Sequence, residues 1–300
     1  MNDKIVGYQV LTRLFGNTNT TNKAWGTKEE NGVGKFSDFT EKALLEIKKL
    51  GATHIWFTGV LHHALTTDYT AYGISNDFTA VVKGRAGSPY AIKDYYTVNP
   101  DLADNPAERL EEWEALIART HQCGLKVIMD IVPNHVARRY ESIAKPKGVG
   151  GFGEDDDVSV TYAVNNNFYY NPNEAFQLPE GIYGEYHEFP AKWTGNGARA
   201  SQPDRNDWYE TVKLNYGVRP DGTKDFPTLP AGFENEATEI HYHFWQNQIV
   251  PDTWQKFKYI ALYWLEKGVD GFRYDMAEMV PVEFWSYFNS AITPHHPEAF

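Results

Sequence analysis

Three hundred residues, 42% of them hydrophobic and 23% charged, can bury a large core and carry too much apolar surface for a disordered chain. Forty acidic against 28 basic residues give a net charge of -12, which repels phosphate backbones and anionic lipid surfaces, so nucleic acid is excluded as a natural partner. Cys123 is the only cysteine, which rules out an internal disulfide and a thiolate metal cluster, and no apolar run is long enough to span a bilayer.

The chain opens directly on strand-like sequence over residues 5–11, with no apolar signal core ahead of it. The default compartment is therefore the cytoplasm; a periplasmic or secreted protein with its signal removed would read the same way. A first helix is expected from the capping-box pair Asp38 and Glu41, with Phe39, Ala43, Leu44, Ile47 and Leu50 on one stripe. Gly51 stops it ahead of a strand over 53–57. In the second helix Asn105 is the N-cap, Pro106 takes the first helical position and Glu108 completes the box; Leu110, Trp113, Leu116 and Ile117 form its stripe. After Gly124, residues 125–132 read as an apolar strand broken only by Lys126 and Asp130, as expected for a strand covered on both faces. The third helix runs from Asp252 through Trp254, Phe257, Ile260, Ala261, Trp264 and Leu265 to Gly268, followed by a strand over 269–275.

Helix-then-strand repetition of this kind builds βα units around a parallel sheet. Between His135 and Asp252 the sequence is rich in Asn, Gly, Pro and Tyr and shows no sustained helical period. It is too long for a connection and reads as a small irregular or β-rich domain inserted after the third strand. The expected division is 1–135 for strands one to three, 136–250 for the insert, and 251–300 for a helix, the fourth strand and a following helix.

Two strand ends carry the chemistry: Asp130-Ile131-Val132-Pro133-Asn134-His135 and Gly271-Phe272-Arg273-Tyr274-Asp275. Side chains alternate along a strand, so Arg273 and Asp275 share one face while Phe272 and Tyr274 take the other. An Arg beside an Asp favours the ionised carboxylate, which suits a nucleophile near neutral pH. The chain's Tyr and Trp residues offer flat apolar faces with polar edges, which suit sugar rings as well as a core. Metal-ligand patterns are poor by comparison: the run Asp155-Asp156-Asp157 reads as a solvated loop, and His62-His63 and His241 with His243 lack a third ligand at suitable spacing.

These motifs resemble the α-amylase family of glycoside hydrolases. Asp130 to His135 matches that family's Asp-x-x-x-Asn-His after strand three, and Gly271 to Asp275 its Gly-x-Arg-x-Asp after strand four. Tyr90-Ala91-Ile92-Lys93-Asp94-Tyr95-Tyr96 with Asn99-Pro100 is similar to the stretch after strand two that holds a sugar-stacking Tyr, and Leu214-Asn215 to the end of a motif in the inserted domain. The resemblance implies a (β/α)8 TIM-type barrel with a domain inserted after strand three. It also implies retaining chemistry on α-1,4-glucans or maltooligosaccharides, with a glucan as the partner and no membrane or nucleic acid.

Carried over, Asp275 would be the nucleophile and Arg273 its electrostatic partner. His135 and Tyr90 would bind the sugar before the cleaved bond, and Asp130, Asn134, Asp94 and Lys213 would support the site. The departures bear on specificity and metal. Lys213 stands where the family has a calcium-binding Asp, so no cofactor is expected and calcium is disfavoured there. Glu278-Met279 replaces a common Lys-His, and Ser88 replaces a His before the stacking Tyr. The family's general-acid Glu, after strand five, is expected beyond Phe300, because a full barrel takes about 250 residues without insertions and only four or so βα units fit here. Glu298 stands beside Pro297, outside any strand-end pattern. A transglycosylase, or a non-catalytic carbohydrate-binding relative, would share every motif quoted, and oligomeric state is left open.

Overall fold

A computed structural model describes residues 4–300; Met1, Asn2 and Asp3, on which the reading of the N-terminus partly rests, lie outside the described residues. In chain order the elements are β1 (Gly7–Leu11), a short α1 (Lys28–Asn31), α2 (Glu41–Lys49), β2 (His54–Thr58), β3 (Leu61–His63), β4 (Ile92–Val98), α3 (Arg109–Gln122) and β5 (Lys126–Ile131). There follow β6 (His135–Ala137), β7 (Tyr170–Asn171), β8 (Ala191–Lys192), β9 (Thr211–Lys213), α4 (Thr238–Gln246), α5 (Asp252–Glu266), β10 (Gly271–Tyr274) and α6 (Val282–Ile292).

The helix-and-strand rhythm becomes a four-stranded parallel sheet in the order β1-β2-β5-β10. Helices α2, α3 and α5 supply the crossovers that parallel neighbours require. Val127, Met129 and Ile131 of β5 are buried, and so are Ile128 and Asp130 on the alternate face, which accounts for the unbroken apolar run. Gly124 and Gly268 end α3 and α5 at φ +70° and +97°, where a side chain would be strained. Among the described residues the sheet does not close, and β1 and β10 are its edges. Phe300 lies along the free edge of β10: its N–H donates to the Asp270 carbonyl at 2.9 Å and its carbonyl accepts from Phe272 N at 2.8 Å, the bonding pattern of a parallel neighbour.

Two helix starts differ from expectation. Asp38 and Glu41 form no capping box around α2. Thr40 is the cap, its hydroxyl accepting from Ala43 N at 3.2 Å, while the Asp38 carboxylate accepts from Lys35 N at 2.7 Å at a preceding 3-10 turn. The cause is Phe39, whose ring is buried against Phe15 and Phe57 with centroids 4.1 and 5.1 Å away, and which stands outside the helix to get there. Leu50, expected on the buried stripe, is 72% exposed. Asn105 caps a 3-10 turn rather than α3 itself, and Glu112, not Glu108, reaches back to the N–H groups of Asp104 and Asn105 at 2.8 and 2.7 Å.

Between residues 136 and 250 regular structure is sparse. It consists of β7 and β8 paired with each other, β9 paired with β6, and the nine-residue α4. That helix had no helical period to announce it, because only Trp245 of its residues is buried. The antiparallel pair β3 and β4 was also unforeseen.

Aromatic hydrogen bonds tie these parts to the sheet. Trp264 and Trp254 of α5 donate their indole N–H to the carbonyls of Tyr95 at 2.8 Å and Tyr216 at 3.1 Å. The Tyr95 and Tyr216 hydroxyls in turn donate to the carbonyls of Val132 and Pro133, each at 2.6 Å. The chain leaving β5 is thus pinned from two sides, and buried groups of this kind hold their geometry because an unmade bond there is costly.

Candidate active site

The parallel register of β10 against β5 sets Arg273 directly beside Asp130. Residues paired in a ladder point to the same face, so the guanidinium meets both carboxylates: its Nη1 lies 2.8 Å from Asp275 Oδ1 and 3.3 Å from Asp130 Oδ1. Asp275 follows the last residue of β10, and its N–H still donates to the Ile131 carbonyl at 2.9 Å, so the backbone at the carboxylate is tied to the sheet. The Arg273 guanidinium also lies 5.0 Å from the Trp56 ring and 6.0 Å from the Tyr90 ring. Phe272 and Tyr274 turn the other way. The Tyr274 ring packs on Trp285 and Phe288 of α6 at 4.7 and 5.7 Å.

Asp130 is buried, and burial pushes its carboxyl up to about 6 against the opposing charge of Arg273; its Oδ2 has no hydrogen-bond partner among the described residues. Burial, with the Asp130 carboxylate as a further cause, raises the Tyr90 phenol.

The β6–β9 ladder pairs His135 with Lys213 and so delivers the ammonium to the loop after β5. Lys213 Nζ donates to Asn134 Oδ1 and more distantly to the Met279 carbonyl at 3.4 Å. With its oxygen taken by a donor, the Asn134 amide must turn its NH2 outward, to the Gly195 carbonyl at 2.8 Å and to His135 Nδ1 at 3.0 Å. That makes His135 Nδ1 an acceptor and assigns the ring proton to Nε2. Burial, aided by the charge of Lys213, lowers His135 to about 4, so the ring is neutral at pH 7. Burial likewise lowers Lys213 to about 8. An ammonium cannot ligate a cation, and the one Asn134 oxygen that could do so already accepts from it, so this donor set does not fit a divalent metal.

Asp275, His135 and Tyr90 line one cavity of about 260 Å3. Asp94 is elsewhere: its carboxylate accepts from Tyr96 N, Ser142 Oγ, Ile143 N and Ala144 N at 2.6 to 3.0 Å and fastens the start of the 136–250 stretch to β4. Five lining residues were not foreseen: Trp208, Glu210, Lys83, Thr211 and Met276. Trp208 sets its ring 5.4 Å from that of His135, Glu210 is buried and paired with Lys83 at 3.0 Å, and Met276 adopts a left-handed backbone with φ +51°. The signal for the first two was their place just before Leu214-Asn215; Met276 had only its position after Asp275.

Glu298 falls two residues before Phe300, whose bonds align it with Gly271, the first residue of β10. It therefore enters at the opposite end of the sheet from Asp275. Asp156 is no metal ligand in waiting, since its oxygens accept from Asn167 N, Phe168 N and the Tyr170 hydroxyl at 2.7 to 3.0 Å.

A family model described as alpha amylase, catalytic domain, matches residues 9–298. Maltase 1 of Drosophila virilis is 25% identical over 274 residues, covering 90% of this chain and 31% of the relative. An amylopullulanase of Thermoanaerobacter thermohydrosulfuricus is 26% identical over 220 residues, covering 70% and 12%. Among solved structures, an alpha-amylase from Lactobacillus plantarum gives a TM-score of 0.52 at 23% identity, covering 98% of this chain and 43% of that one. The debranching enzyme of Nostoc punctiforme gives 0.55 at 20%, covering 99% and 46%. The chain thus spans less than half the length of each of these four proteins. With a catalytic-domain match that takes in both carboxylate-bearing strand ends and everything between them, the chain belongs to the alpha-amylase family, whose catalytic domain is a TIM-type barrel.

Proposed function

We propose that the protein containing this chain acts on α-1,4-glucans or maltooligosaccharides as a retaining glycoside hydrolase. The observation that carries this reading is the Asp130–Arg273–Asp275 array at the strand ends, beside a cavity that Asp275 shares with Tyr90 and His135. Asp275 attacks the anomeric carbon as the glycosidic C–O bond breaks, and a second carboxyl group, about 5 to 5.5 Å away in retaining enzymes, protonates the leaving oxygen. Water then gives its proton back to that group and displaces Asp275. His135, donating through Nε2, and Tyr90, through its ring face, hold the sugar whose anomeric carbon reacts. Asp130 and Asn134 brace the strand ends.

The second carboxyl group belongs, on this reading, to a fifth strand. The sheet is then the first four βα units of an eightfold barrel, with 136–250 an insert after the third strand, between barrel segments 1–135 and 251–300. The parallel bonding of Phe300 along β10 supports this arrangement. Glu210 is a wall of the cavity held by Lys83. No cofactor enters the scheme: Lys213 does with one ammonium what a calcium ion would do for Asn134, holding the amide oxygen so that the NH2 faces His135.

In the full-length protein, Asp275→Asn is expected to lower kcat on maltooligosaccharides at least about a thousandfold while maltoheptaose affinity stays within about tenfold. Near-normal turnover would remove Asp275 from the mechanism. For the metal, thermal melts of the full-length protein should be unmoved by calcium or by chelator, whereas Lys213→Asp should make the midpoint rise with calcium. Loss of wild-type stability on chelation, restored by calcium, would contradict the substitution.

The neutral His135 also has a consequence for stability. Between pH 6.5 and 4 the unfolded chain binds a proton at this ring and the folded chain does not, so its contribution to stability falls as the pH falls, by roughly 3 kcal/mol over the window. Asp130, raised to about 6, works in the opposite sense but is common to wild type and variant. Urea unfolding of full-length wild type and His135→Gln at pH 7 and pH 4 should therefore show a difference that shifts by that amount in the variant's favour at the lower pH; a pH-independent difference would refute the buried neutral ring.

A further inference from the structure

Three of the chain's Trp residues, Trp113, Trp254 and Trp264, are fully buried, but Trp25 is 69% exposed. Its backbone is left-handed at φ +58°, a conformation that costs a non-glycine residue about 1 to 3 kcal/mol. The surrounding loop holds it there. Lys23 N donates to Asn31 Oδ1 at 2.7 Å and Asn31 Nδ2 returns a bond to the Lys23 carbonyl at 2.9 Å. Gly26 N closes a turn onto the same carbonyl at 3.0 Å, and Thr27 and Glu30 form a reciprocal capping box. The indole is thus presented to solvent from a locked support.

Trp25 forms part of the wall of a cavity of about 850 Å3, with Asn17, Asn22, Thr66, Asp68 and Arg85 also on it. The far wall is tied together, since Thr66 donates through N and Oγ1 to the Arg85 carbonyl at 3.0 and 3.1 Å. A flat apolar face bordered by amide, hydroxyl and carboxylate groups matches a pyranose ring, which has an apolar C–H face and a rim of hydroxyls. The cations around it are largely committed: Arg13 to Asp101 at 2.7 Å, Lys28 to the Tyr69 hydroxyl at 2.9 Å, and Lys23 to Glu30. That favours a neutral saccharide over a phosphorylated one.

The place of the cavity matters as much as its lining. It is built by the connection that follows β1, hence at the same end of the parallel sheet as Asp275. One run of backbone serves both cavities: Gly84, Arg85 and Ala86 line this one, while Lys83, Ser88 and Tyr90 line the one that contains Asp275. We propose that Trp25 is the stacking platform of a second saccharide-binding site, which engages glucan chains long enough to extend beyond the candidate active site and leaves short substrates untouched. The identity of the sugar rests on the α-glucan reading above; the existence of the site does not.

The test uses the full-length protein and its Trp25→Ala and Trp25→Tyr variants, with maltose and maltoheptaose in calorimetric titrations made in an Asp275→Asn background so that the ligand is not cleaved, and an activated maltoside and soluble starch as substrates of the otherwise unaltered protein. For Trp25→Ala the Kd for maltoheptaose and the KM for starch should rise roughly three- to tenfold, with maltose binding, activated-maltoside kinetics and the melting midpoint unchanged. Trp25→Tyr should retain most of the affinity. An unchanged maltoheptaose Kd in Trp25→Ala, or equal losses on short and long ligands, would overturn the proposal. So would tight binding of glucose 6-phosphate that disappears in Arg85→Ala, which would make the cavity an anion site. Wild-type protein that turns over no α-glucan yet binds maltoheptaose through Trp25 would overturn the function and keep the site; wild-type protein that binds no glucan would overturn both.

Discussion

The interaction on which the site depends is one guanidinium held between two carboxylates by the register of two parallel strands. Shifting β10 by a single residue against β5 would turn Arg273 and Asp275 toward the helices and set Phe272 and Tyr274 on the opposite side. The register is held by the side that carries no chemistry, where Tyr274 packs between Trp285 and Phe288 and α5 buries its tryptophans. Apolar packing on one face therefore specifies a charged array on the other. Leaving the buried Asp130 carboxylate without the cation would leave its charge uncompensated, which costs more than an intact pair contributes.

A second cation, Lys213, orders the neighbouring loop. Its amine reaches Asn134, Asn134 orients His135, and the two tyrosine hydroxyls bound to the carbonyls of Val132 and Pro133 keep that loop against the sheet. Burial brings Lys213 down to about 8 and His135 down to about 4, so at neutral pH one is charged and the other is not. A single ammonium held on the β6–β9 ladder thus sets the tautomer of a ring on the candidate active-site wall.

What could be read in advance was whatever depended on local period and alternation. The apolar runs of β5 and β10, the stripes on α3 and α5, and the shared face of Arg273 and Asp275 all follow from spacing within a few residues. The capping error at Asp38 arose because a distant partner, Phe57, draws Phe39 into the core and moves the helix start to Thr40. Trp208, Glu210 and Lys83 were not legible for a related reason: each reaches the cavity from a segment whose course is set by pairing with residues far away in sequence, and none sits on a strand of the sheet. Helix α4 hides its nature because it is mostly exposed, so burial leaves no period in its sequence.

The most direct test of the central claim is to trap the glycosyl-enzyme. The full-length protein would be incubated with a fluorinated α-glucosyl or maltosyl fluoride, which slows the second displacement, then digested and mapped by mass spectrometry. The account requires a single glycosyl mass increment on the peptide that carries Asp275, and none in Asp275→Asn. A label on another carboxylate, Glu210 included, or turnover that proceeds with inversion at the anomeric carbon, would contradict it.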